Sequence, residues 1–182
     1  MNNSNFKYDF LIVGAGLIGA LTGLVLLKKG LKVLVIDKNT SMINDQRTLA
    51  VNANSKDFLQ SLGIWQNLRL IPEPINKIKI ANIEVNKKIN FFDQFEPLGY
   101  VAFNHEILSL AREQLIKKSS LLFETFVSEK NLKPQKQIIL NKKKYEFKHI
   151  IFSTGKSKNL NDQNIIPSKH IAYVGFFNHS NS

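Results

Sequence analysis

The sequence predicts an α/β fold: a three-layer unit on a mostly parallel sheet, joined to part of a second, antiparallel sheet. Three observations predict it. Apolar runs at 10–13 and 31–36 are short enough for buried strands, and a helical stretch lies between them. Gly14, Gly16 and Gly19 stand in G-x-G-x-x-G spacing where the first strand gives way to the helix, and Asp37 closes the second strand. Further along, residues 75–83 alternate, with Ile78 and Ile80 on one side and Lys77 and Lys79 on the other, as in an antiparallel strand with one wet face.

Strand, glycine turn, helix, strand and acid make the layout of a dinucleotide-binding unit. Each residue type has a physical task. Gly14 lets the chain turn sharply, Gly16 admits a pyrophosphate close to the backbone, and Gly19 lets the helix pack tightly on the strand. The helix, expected over 17–29 and ended by Gly30, offers free N–H groups and a partial positive charge at its start. Asp37 is placed to accept hydrogen bonds from a ribose hydroxyl and to repel a 2′-phosphate. Residues 10–27 carry no charge, so a membrane span and a signal peptide compete with this reading. Gly14 and Gly16 interrupt the run where a loop is wanted, and a β-branched strand follows almost at once, which favours the nucleotide unit.

Composition sets outer bounds. The chain has 182 residues, 43% of them hydrophobic, enough for a core, and no cysteine, so disulfides and thiolate metal sites are excluded. The formal charge of +11 invites an anionic partner. Only Arg47, Arg69 and Arg112 are arginines among 25 basic residues, however, and the lysines are scattered. A solvated face explains them better than nucleic acid, which leaves weak attraction to acidic lipid as the surviving functional reading.

After a polar link at 38–45, a helix is expected over 54–62 with Phe58, Leu59 and Leu62 on one side, ended by Gly63. Pro72-Glu73-Pro74 is a breaker and a candidate domain crossing. Ile89, Phe91 and Phe92 belong to a partner strand after a turn near Asn86. A helix from about Asn104 to Lys118 carries an apolar stripe of Ile107, Leu108, Ala111 and Leu115. Asn104 is by itself a good N-cap, and His105 reads as an unexceptional helix-start residue rather than a catalytic one. Residues 121–126 read as a third buried strand, 137–140 and 145–147 as strands with Lys-rich turns, 149–152 as an apolar strand, and 167–177 as a last alternating strand. There is no catalytic triad, metal cluster or carboxylate pair in view.

The glycine unit, followed by D-x-R-T-L-A at 45–50 and by Ser55, Phe58, Leu59, Leu62, Gly63, Ile64 and Trp65, resembles the FAD-dependent aromatic hydroxylases of ubiquinone biosynthesis. These belong to the wider flavoprotein monooxygenases related to para-hydroxybenzoate hydroxylase. The resemblance implies a Rossmann-like FAD-binding domain over 1–72 and 99–160, with incomplete substrate-domain strands at 73–98 and 165–182. It also implies cofactor contacts from Gly14, Ala15, Gly16, Gly19, Asp37, Lys38, Arg47, Asn104, Val127 and Gly155. In the family the arginine segment lies along the flavin, a polar residue at the later helix start approaches the ribityl and phosphate region, and the third strand meets the adenosine half.

The implied reaction uses FAD, with NAD(P)H as co-substrate, to place an OH from dioxygen on a polyprenyl-phenol ring. The implied setting is cytoplasmic or peripheral on the inner membrane. A ubiquinone-biosynthesis complex and a separately encoded C-terminal half are the partners this reading allows; nucleic acid is not among them. One departure stands out. Thr154 occupies the place of the family's aspartate before Gly155, and Leu160 that of an arginine. Threonine keeps a hydrogen bond but not the charge. The resemblance covers about the N-terminal half of the family, so the expected enzyme is truncated or split. The alternative is a non-catalytic remnant binding FAD weakly or not at all, and a different NAD-using Rossmann enzyme is a third reading.

Overall fold

A computed structural model describes residues 5–40, 46–82, 86–127, 136–140 and 143–155 of the protein. Its centre is a five-stranded sheet. Strand β1 (Asn5–Val13) enters the glycine turn, helix α1 (Leu17–Lys28) follows, and β2 (Val33–Ile36) returns parallel to β1, pairing Phe10 with Val33. Gly30 takes a φ of +78° just past the helix, the left-handed conformation that ends it. Residues 10–27 are thus strand, turn and helix rather than one rod, and no helix among the described residues is long and apolar enough to cross a membrane.

Strand β3 (Thr48–Val51) leads to helix α2 (Ala53–Ser61), whose N-cap Asn52 accepts a hydrogen bond from the Ser55 N–H. A 3-10 turn at Trp65–Asn67 follows, and then β4 (Glu73–Ile75). Strands β5 (Lys77–Asn82) and β6 (Lys87–Phe92) form a separate antiparallel hairpin, and β7 (Gly99–Phe103) lies between β3 and β4 in a three-stranded antiparallel sheet. Pro74, which has no N–H to donate, sits on β4 at the edge of that sheet, where it is tolerated. Helix α3 (Asn104–Lys117), β8 (Leu121–Leu122), β9 (Gln137–Leu140) and β10 (Lys143–Phe152) are the remaining elements among the described residues. The main sheet runs β8-β2-β1-β10-β9, parallel except for β9.

Strand alternation sends Ile12, Val33 and Val35 to one face and Leu11, Val13, Leu34 and Ile36 to the other. Helices α1 and α3 cover the first face with Ala20, Leu24, Ile107, Ala111 and Leu115. Gly23 makes this close, since a β-carbon there would press on Val35 and Leu115. Val51, Leu59, Leu62, Ile64 and Ala102 extend the same core beneath the three-stranded sheet. On the second face Val127, Ile138 and Phe147 pack against the strand residues.

Several expectations need correction. Phe58 is exposed while Leu59 and Leu62 are buried, because residues 59 and 62 alone face the core across a three-residue step. The strand expected over 121–126 stops at Leu122, because Glu124 takes a positive φ and the N–H of Thr125 turns to the Asp37 carbonyl. The segments at 145–147 and 149–152 are one strand, β10. The hairpin at 77–92 forms with Asn86 at positive φ, and Ile78 faces Phe91 while Ile80 faces Ile89. Its apolar side is open to solvent as well as its lysine side. Leu160 and the strand expected over 167–177 lie outside the described residues.

Candidate functional site

The site is built at the carboxyl ends of β1, β2 and β10. Gly14 follows β1 with a φ of +103°, and a β-carbon there would collide with the backbone of Ser153, just past β10. Gly19, one turn into α1, is pressed against the same place: an added β-carbon would strike the Gly14 carbonyl oxygen and Ser153 Oγ. Ser153 Oγ donates to the Gly14 carbonyl at 2.8 Å, and its backbone N–H donates to the Val13 carbonyl at 2.8 Å. The turn, the helix and the end of β10 therefore meet within van der Waals contact. Only hydrogen substituents at 14 and 19 allow that.

Gly16 is different. It is the N-cap of α1 with φ −66°, which any residue adopts, and a β-carbon there would meet nothing within 4 Å. Its open side is the unfilled space at the helix start. The first turn of α1 carries no acidic residue. An anion placed there would meet unpaired N–H groups and the positive end of the helix.

Asp37 ends β2 and is buried. Its Oδ2 accepts from the Ala15 N–H at 2.6 Å, and its Oδ1 accepts from the Asn39 N–H at 2.8 Å. The acid thus ties the glycine turn to the second strand. A carboxylate has about four lone-pair directions, so each oxygen keeps capacity for a sugar hydroxyl. The diphosphate and ribose of FAD fit this donor and acceptor set: open space with N–H groups at Gly16, and a carboxylate at Asp37.

Arg112 completes the cluster, and the sequence reading had passed it over. It projects from α3, is only 8% exposed, and donates from Nε to the Ala15 carbonyl at 2.9 Å. One of its terminal nitrogens lies 3.9 Å from Asp37 Oδ2, and its guanidinium sits 5.1 Å from the centre of the Phe123 ring. Burial pushes the guanidinium below its ordinary pKa, and the Asp37 carboxylate pulls it back up. It remains a cation, as arginine does in proteins. The signal was present: 112 follows Leu108 by four and precedes Leu115 by three, so a charge stood inside the buried stripe of a helix. Ser153 was also missed, since a serine after an apolar strand carries no distinguishing pattern.

Of the other expected residues, Lys38 is exposed just beyond Asp37. Arg47 is exposed before β3, and its carbonyl accepts the Asn104 N–H at 2.9 Å, so these two are neighbours. Asn104 is buried at the first position of α3; the N-cap is Phe103, so the capping reading of Asn104 is corrected. Its place on α3 is eight residues before Arg112, about 12 Å of helix rise. Val127 is buried in the core on the second face of the sheet. Thr154 and Gly155 are exposed beyond β10, and Gly155 has a φ of +70° with open space where a side chain would start. Among the described residues no group of histidines and carboxylates is arranged to hold a metal.

Comparison with known proteins agrees with this geometry. Monooxygenase 1 of Arabidopsis thaliana is 31% identical over 85 residues, which is 47% of this chain and 21% of that protein. Among solved structures, PqsL of Pseudomonas aeruginosa in complex with 2-aminobenzoylacetate superposes with a TM-score of 0.62 at 16% identity, covering 79% of this chain and 42% of that one. The p-nitrophenol 4-monooxygenase PnpA of Pseudomonas putida DLL-E4 gives a TM-score of 0.60 at 14% identity, covering 81% of this chain and 40% of that one. At such identities the solved structures establish a shared fold. The chain spans well under two thirds of each of these proteins. Residues 7–138 match the FAD binding domain family, a span that holds the glycine turn, Asp37 and Arg112. With more than half its length in that match, the chain belongs to the FAD binding domain family.

Proposed function

We propose that this chain binds FAD as part of a flavin-dependent aromatic monooxygenase. The observation that carries the reading is the glycine turn. An unfilled N-terminal end of α1 lies at Gly16, and the turn is braced through Ala15 by Asp37. In this reading Gly16 and the first turn of α1 hold the diphosphate, and Asp37 holds the ribose. Lys38, Arg47, Asn104, Val127 and Gly155 contribute the remaining contacts. Residues 1–72 and 99–160 form the cofactor domain, and 73–98 with 165–182 contribute strands to a substrate domain. The chemistry that FAD supplies when bound is two-electron reduction and the activation of dioxygen. This chain's own part is to orient the cofactor and to exclude water around it.

The finer reading is hydroxylation of a polyprenylated phenol in ubiquinone biosynthesis, with NAD(P)H as reductant. Its support is the arginine segment and the Leu62-Gly63-Ile64-Trp65 sequence, in which Ile64 is fully buried and Trp65 meets Tyr100 edge to face. Peripheral attachment to the inner membrane belongs to the same reading and draws on the exposed lysines. A second reading is favoured by Thr154, which is exposed and uncharged beyond β10: a non-catalytic remnant that binds FAD weakly or not at all.

Purified protein tests both. Yellow protein with flavin absorbance, or uptake of added FAD, is the expected result. Asp37→Ala is expected to weaken FAD binding about tenfold or more, the cost of losing a charged acceptor. A colourless protein that takes up no FAD would end the cofactor reading. Bleaching of the bound flavin by NADPH without oxygen separates the first reading from the second.

A further inference from the structure

We propose that Arg112 is a positioning residue that locks the peptide between Ala15 and Gly16, so that the Gly16 N–H faces the diphosphate. The proposal rests on the FAD reading above. Arg112 Nε holds the Ala15 carbonyl at 2.9 Å. That carbonyl and the Gly16 N–H belong to one peptide group, there is no cis bond among the described residues, and the two point in opposite directions across a trans plane. Fixing the oxygen toward the buried arginine turns the hydrogen away from it, and Gly16 has open space where a side chain would start. The preceding peptide is fixed as well, since the Ala15 N–H donates to Asp37 Oδ2 at 2.6 Å.

Arginine suits this task. One guanidinium serves the carbonyl through Nε, faces the Asp37 carboxylate with another nitrogen, and lies over the Phe123 ring. A lysine ammonium is a single point on a flexible stem and holds one of these partners well. The lock has something to hold against. Ala15 lies between two glycines, whose backbones rotate at little steric cost. With the 15–16 peptide turned over, a carbonyl oxygen would face the phosphates, and a donor would be exchanged for a repelling acceptor.

The test compares ADP with adenosine, which carries the same ribose and no phosphate. Binding of each is measured by titration of the chain with arginine, methionine or lysine at 112. R112M is expected to lose tenfold or more in ADP affinity while adenosine stays within twofold. R112K is expected to lose several-fold for ADP alone. The Gly16 amide resonance should shift on ADP addition in the unsubstituted chain and stay still in R112M. Equal losses for ADP and adenosine would show that Arg112 only supports the fold, and unchanged ADP affinity in folded R112M would overturn the lock. If circular dichroism shows R112M unfolded, the same split in R112K decides. ADP failing to bind the unsubstituted chain overturns the FAD reading and this proposal together, whereas a negative result in the variants alone leaves the FAD reading standing.

Discussion

The parallel sheet and the β5–β6 hairpin use similar residues to opposite ends. In β1 and β2 isoleucines, leucines and valines are covered on both faces, and Ile12, Val35 and Ile36 have no exposed surface. In the hairpin Ile78, Ile80, Ile89 and Phe91 also share one face, yet Ile80 and Ile89 are 53% and 55% exposed. Period alone places side chains on a face. What covers that face decides whether they stabilise anything. The nucleotide unit has its cover, α1 and α3, while the hairpin's apolar face meets none among the described residues. Ile71 and Phe95 are likewise exposed, both above 90%. A patch of this kind marks a place of contact or a hazard of association.

The largest effect that would break the contrast is expected at Gly19→Ala. Its β-carbon would strike backbone at Gly14, so a loss of about 3 kcal/mol or more is expected, with loss of FAD uptake. An unchanged urea midpoint would mean that the turn and helix have room to part. Next comes Ile12→Ala, expected to cost about 3 kcal/mol as a cavity in a closed core. Ile80→Ala, read by the same denaturation, is expected within about 0.5 kcal/mol of the parent. Equal costs would show that the hairpin is buried in solution. Ile80→Lys with Ile89→Lys is expected to leave the melting point nearly unchanged and to raise solubility, as charge on an open apolar face should. Greater aggregation of that double variant would contradict an exposed hairpin.

The smallest expected effect is one of pH. Asp9, on β1, accepts from Lys148 Nζ at 2.7 Å and from the Lys32 N–H at 2.9 Å, and these contacts hold its carboxyl below the ordinary value. The folded chain therefore binds this proton more weakly than the unfolded chain. The resulting stabilisation is fully present above the unfolded value of about 4 and is lost as pH falls through the lower folded value. Asp9→Asn should flatten the acid side of the stability profile, and an identical acid limb in the variant would remove Asp9 from the account.

Much of this was legible in the sequence. Residues 10–37 gave strand, turn, helix and strand in the observed order, because spacing, glycines and period agree there, although β1 starts five residues earlier, at Asn5. The 104–117 helix was legible for the same reason. The segment after Leu121 was not, since its apolar run fits a strand while its backbone instead wraps the end of β2. Arg112 was half legible. Its position in the helical period is visible, but its partners, the Ala15 carbonyl and Asp37, lie far away in the chain and come together only in three dimensions. The exposed hairpin face could not be read from alternation, because alternation is silent about neighbours.

The place of β1 between β2 and β10 has a consequence for synthesis. One flank of β1 is satisfied early, by residues 33–36, but the other waits for residues 144–152. Ser153, the floor beneath Gly14, lies 139 positions later. At bacterial or eukaryotic translation speeds that gap is on the order of ten seconds. For that interval β1 presents an unpaired apolar edge to solvent or to any strand-seeking neighbour, and the nucleotide cradle has no base. Strand β1 is thus made long before it is sealed, so a nascent chain of this protein is a natural client for whatever shields open strands near the ribosome exit.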